Sequence, residues 1–165
     1  MTDTPNDRRS ANDNRVIDDI QEYGCHVVSV FDPKQEQPSF SYSVGIFKAS
    51  MAPEVIVVGL NIQLGGFMVN EYNNRVRSGE LFEPGRPYNG FLEGFSVYFE
   101  PAKPELLVDY TLGCDRFYEG KPHPTLQILW PSTTGVWPWE PAASEWFKLN
   151  QPILALKYPA ITNEA

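Results

Sequence analysis

The stretch that most constrains this chain is Ser39–Gly66, SFSYSVGIFKASMAPEVIVVGLNIQLGG. Phe40, Tyr42, Val44 and Ile46 alternate with Ser41, Ser43 and Gly45, the period of a strand with one core face and one narrow, weakly polar face. Val55–Leu60 (VIVVGL) is apolar on both parities, as expected of a central strand covered on both sides. Phe47–Pro53 between them reads as a loop. Asn61 fits the N-cap of a helix running to about Ser78, with Gly79 as its stop. Gly65 and Gly66 in its early turns each cost about 1 kcal/mol relative to Ala. They therefore signal close packing, or something lying against the backbone.

The remaining segments follow from the same periodicities. Residues 1–13 are polar and predicted to be a disordered tail. Val16, Ile17, Ile20 and Tyr23 share one face of a short helix over Asn14–Tyr23, ended by Gly24. Cys25–Phe31 is β-branched and aromatic, hence a strand with His26, Val28 and Val30 on one side. Phe95–Phe99 and Thr125–Trp130 are further strands, and a Gly/Pro-rich segment, Glu80–Gly94, with room for a short strand near Phe91, precedes the first of them. A helix is expected over Glu105–Tyr118, and one or two short helices over Ser144–Leu156, broken at Pro152. The first three strands are joined by connections too short for parallel crossovers, so they should pair antiparallel. The expected fold is an α+β single domain over residues 14–165, built on a curved antiparallel sheet or a partly closed, split-type β-barrel with flanking helices.

Charge and composition exclude some classes of function. The 21 acidic and 13 basic residues leave a net charge of −8. The densest basic groups, Arg8–Arg9 and Arg75/Arg77, are too sparse to displace counterions from a phosphate backbone, so nucleic acid is not an expected partner. No apolar run is long enough for a bilayer, and no membrane partner is expected. Only two cysteines, Cys25 and Cys114, are present, read as buried thiols in a reducing compartment. The N-terminus lacks a secretory pattern, and a cytoplasmic location is expected.

Five segments, IQEYGCHVVSVF, FSYSVGIFKASMAPEVIVVGL, VRSGELFEPG, LEGFSVYFEP and LQILWPSTTGVWPWEP, together resemble the domain-of-unknown-function (DUF) 4262 family. They span about residues 17–141. The resemblance implies a compact bacterial cytosolic domain and brings no activity with it. One departure stands out: the family tends to carry His just before the Pro-Glu pair, where this chain has Ala52.

No residue set spells out a reaction. Cys25, His26, Cys114 and His123 lack metal-ligand spacing, and Cys25 and His26 face opposite ways on one strand. Ser41 or Ser43 with His26 or His123 would make a nucleophile–base pair only in a special fold, and no nucleophile elbow is present. Asp115 beside Cys114 disfavours its thiolate. The turn from Val58 into the Asn61 helix could attract an anion, but it lacks the lysine and glycine spacing of a P-loop, and an ordinary capped helix is the plainer reading.

A binding site is the better expectation. Ser41, Ser43 and Gly45 form a small-residue face able to admit a flat ring, with Glu54, Asn61, Gln127 and Trp130 as candidate neighbours. This outlines a small-ligand or cofactor-binding domain, with a flavin nucleotide as the cofactor a split barrel would take. The alternative is a non-catalytic protein-interaction module of regulatory, phage-defence or immunity type, anchored by aromatics around Phe82, Tyr88, Phe91 and Trp137–Trp139.

Overall fold

The alternating segment and the all-apolar segment are adjacent antiparallel strands in the computed structural model, which describes residues 5–159, with side chains from residue 11 onward. In chain order the elements are α1 (Pro5–Tyr23), β1 (His26–Val30), β2 (Phe40–Val44), α2 (Ile46–Ser50), β3 (Glu54–Val58), α3 (Ile62–Arg77), β4 (Tyr88–Leu92) and β5 (Phe95–Pro101). A 3-10 turn at Pro104–Leu106, α4 (Leu112–Phe117), β6 (Thr125–Leu129) and α5 (Glu145–Asn150) complete them. The strands form one six-stranded sheet in the order β1-β2-β3-β6-β5-β4.

The first three strands pair antiparallel, as their short connections require. The sheet as a whole is mixed, because β6 enters between β3 and β5 and lies parallel to β3, with Val55 opposite Leu126 and Val57 opposite Ile128. It is also open, with β1 and β4 at its edges, so of the two expected forms, a curved sheet or a partly closed barrel, the barrel is not formed. Neither departure is visible in local periodicity, which reports the faces of a strand and not its neighbours.

Each face has its own cover. On the first, Val55, Val57, Val97, Phe99 and Ile128 lie in one cluster with Met68, Val69 and Tyr72 of α3. Phe99 is the hub of an aromatic group, with Phe82 at 4.6 Å, Phe91 at 5.0 Å and Tyr72 at 5.4 Å between ring centroids. On the second face, Tyr42, Val44, Ile56 and Val58 pack with Leu107, Cys114 and Leu154, and Val16 of α1 joins them. Every residue of β3 and β6 is buried, as a doubly covered central pair requires.

The small face of β2 is where α3 comes closest. A Cβ on Gly65 would stand 2.9 Å from Ser41 Oγ and 3.3 Å from Ser41 Cβ, whereas one on Gly66 would find only Ser29 Oγ at 4.0 Å. Close packing therefore explains Gly65. At Ser41 the space expected to hold a flat ring is filled by the helix backbone.

Three local expectations change. Helix α1 begins at Pro5 rather than Asn14, taking in residues assigned to a disordered tail; Asp13 Oδ2 accepts from Arg116 Nη2 at 2.9 Å and ties this part of the helix to α4. Residues 1–4 lie outside the described residues. The expected loop after β2 contains α2. The expected helix over Glu105–Tyr118 is two pieces, because Thr111 departs from helical geometry at φ −93°, ψ 50°. Among the described residues, no helix is long and apolar enough to cross a membrane.

Candidate functional site

Three of the residues singled out in the sequence meet at the end of β2. Gly45 leaves the strand at φ 103°, where a Cβ would run into Ile20 at 2.5 Å, and this turn points three successive amides inward. The buried carboxylate of Glu54 accepts from the N–H groups of Gly45 at 3.0 Å, Ile46 at 3.0 Å and Phe47 at 3.2 Å. Ser43 Oγ donates to it at 2.8 Å, and the Tyr118 hydroxyl donates as well. Ser43 Oγ in turn accepts from Val55 N at 2.9 Å. The result is an internal anion at the start of α2 that joins β2, α2, β3 and the end of α4.

That charge shapes its surroundings. Burial, reinforced by Glu54, pushes the Cys25 thiol up to about 12 and raises the Cys114 thiol too. Burial and Glu54 likewise raise the Tyr118 phenol, which keeps its proton and donates. Both cysteines are free and buried, so neither has the exposed thiolate character of a reactive residue. Ala52, two positions before Glu54, packs against the cluster on the first face.

The other four candidates are dispersed. Ser41 is buried beneath Gly65, its hydroxyl 2.9 Å from that of Ser29. Asn61 caps α3, its Oδ1 accepting from Leu64 N at 2.8 Å. Gln127 lies opposite Ile56 and so on the second face, away from Ser41 and Ser43. There its amide donates to Pro152 O at 2.8 Å and accepts from Leu154 N at 2.7 Å, fastening the C-terminal segment to the sheet. Trp130 Nε1 donates to Val58 O at 2.9 Å, and its ring meets Phe147 edge-on. Of the aromatics read as partner anchors, Tyr88 and Phe91 are core residues and Phe82 packs onto them. Trp137 and Trp139 stack on each other at 5.2 Å.

The catalytic pairings considered from sequence do not assemble. Ser41 and Ser43 turn to the first face, while His26, opposite Val44, turns to the second. His123 stacks on Tyr118 at 4.5 Å, and its Nδ1 donates to Lys121 O. Among the described residues no group of three or more His, Cys, Asp and Glu could hold a metal ion.

Instead, His26 lines a cavity of about 550 Å³ between α1, the β1–β2 edge and α4. Val16, Val28, Val44, Leu112 and Phe117 give it apolar walls. The imidazole and the charged groups sit at two places, and Asn12 and Tyr42 add further polar atoms. His26 Nδ1 donates to Asp19 Oδ2 at 2.7 Å, which fixes the ring and leaves Nε2 for another partner. Across α1 and α4, Asp13 and Arg116 form their ion pair, and Glu119 also lines the cavity. The Tyr42 hydroxyl accepts from Gly113 N at 3.0 Å, and burial raises its phenol above the ordinary range.

Neither pair has a signature in local periodicity, although the first leaves a trace in the chain's spacing. Gly24 ends α1 and β1 starts two residues later, so the chain doubles back. Five helical residues rise about 7.5 Å and two strand residues about 6.6 Å, which brings Asp19 level with His26. A second hollow, of about 610 Å³, lies between α3 and the β4–β5 hairpin. Its lining includes Leu64, Phe67, Phe91 and Phe95, with Glu93 as its one charged side chain among the described residues. Convergent polar groups on apolar walls favour the first cavity as a ligand site.

A family model described as Domain of unknown function (DUF4262) matches residues 19–144. No curated protein matches the chain, and no solved structure does.

Proposed function

The chain belongs to the DUF4262 family, and we propose that it serves as a small-ligand-binding domain whose site is the cavity between α1, the β1–β2 edge and α4. The observation that carries this reading is the oriented His26–Asp19 pair on the wall of a cavity of about 550 Å³, a volume suited to a small organic molecule. A flavin has less support, because the sheet is open, Gly65 packs on Ser41 and Ser43 is engaged by Glu54. The free, buried Cys25 and Cys114 support a cytoplasmic setting.

The test is a fragment screen read by thermal shift on the protein and on Val16→Trp. Val16 is half-buried on α1, so a larger side chain there fills the cavity from its wall with little disturbance of the sheet. Ligands of this site raise the Tm of the parent and leave that of the variant unmoved. A screen whose hits shift both proteins equally would sink the assignment.

A further inference from the structure

We propose that the cavity takes a small amphipathic amine, with an aliphatic or aryl body and a protonated head; this rests on the small-ligand reading of the same site. The body follows from the walls, where Val16, Val28, Val44 and Leu112 offer surface that only an apolar group would profitably cover.

The head follows from charge. Among the described residues, Asp13, Glu119 and Arg116 are the charged side chains in the lining. Arg116 is engaged by Asp13, and among the described residues Glu119 forms no salt bridge. Asp19 adds a further carboxylate directly behind His26. Among the described residues a ligand carboxylate would therefore meet an excess of negative charge, with the one lining guanidinium, Arg116, already paired. An ammonium group meets Glu119, and a chain of net charge −8 favours its approach from a distance.

Two further groups fit the same ligand. With Nδ1–H donated to Asp19, a neutral His26 presents its Nε2 lone pair as an acceptor for an N–H. Phe117 and Tyr42 add aromatic rings to the lining, and Phe117 already holds one ammonium, Lys48 Nζ, at 5.4 Å from its centroid. Amine, apolar body and aromatic wall are thus matched by chemically distinct parts of one cavity.

The experiment compares hexylamine, 1-hexanol and hexanoate, three probes with the same chain and different heads, by calorimetry at neutral pH. The parent protein, Val16→Trp and the double variant Asp13→Asn/Glu119→Gln are titrated. Both positions of the double variant are at least partly exposed, so folding should survive the change. Hexylamine is expected to bind the parent tightest, and Val16→Trp to abolish its binding. The double variant should lose roughly fivefold or more in amine affinity and, with Arg116 released, gain for hexanoate. Preference for hexanol or hexanoate in the parent overturns the amine and leaves the cavity reading standing. Binding that Val16→Trp does not alter, or no binding by any probe at about millimolar concentration, overturns both.

Discussion

Gly65 and Gly66 are neighbours in one helix and carry different physics. Gly65 faces Ser41 at a distance that leaves no room for a methyl group, and Gly66 faces nearly open space. Gly65→Ala is therefore expected to destabilise the protein by about 1–2 kcal/mol, the gain in helix propensity being outweighed by overpacking against β2. Gly66→Ala should stabilise by up to about 1 kcal/mol. Urea unfolding of the two variants checks both, and equal shifts would mean that α3 does not sit on Ser41. From sequence the pair reads as a single signal. Backbone conformation separates neither, and only the helix's rotation over the sheet decides which glycine is indispensable.

At the scale of elements, Glu54 belongs to the joint between β2, α2 and β3. Three backbone amides, the Ser43 hydroxyl and the Tyr118 phenol converge on its carboxylate, so its charge replaces solvent for all of them. Glu54→Gln keeps the shape but turns an NH₂ group toward donors, and is expected to cost about 3 kcal/mol. Tyr118→Phe removes one donor and should cost about 1–2 kcal/mol. The ordering Glu54→Gln above Tyr118→Phe, measured by chemical denaturation, distinguishes a structural anion from a solvated side chain. The sequence drew attention to Glu54 as a polar residue beside an apolar strand. It did not show that α2 would form and aim its amides there, because five residues of ordinary composition carry no helical period.

For the whole molecule, the buried Glu100 sets part of the response to pH. Burial raises its carboxyl above the ordinary range, against the opposing hydrogen bond from Gly85 N at 2.6 Å. The folded state thus holds this proton where the unfolded chain has released it. Its contribution is fully present below the unfolded value and is lost as pH rises through the folded one. Glu100→Gln keeps an acceptor for Gly85 and removes that dependence. The variant should equal the parent below about pH 4 and exceed it at neutral pH, as read from Tm across that range; a parent that gains on the variant as pH rises would show the carboxylate to be stabilised instead.

Local pattern alone determined the β1, β2, β3, β5 and β6 segments, the N-cap and stop of α3, the antiparallel start of the sheet and the burial of β3. These depend on side-chain period and on turn chemistry between neighbours in sequence. The tertiary structure decided the rest. It placed β6 parallel to β3, left the sheet open, turned Gln127 away from Ser41 and Ser43, covered Ser41 with Gly65 and tied Ser43 to Glu54. It also brought α1 over β1 so that Asp19 meets His26, and α4 beside α1 so that Arg116 meets Asp13. A candidate site made of contacts between elements has no local period to read. The side chains that line it are ordinary in sequence and become a cavity only where α1 and α4 stand apart over the same edge of the sheet.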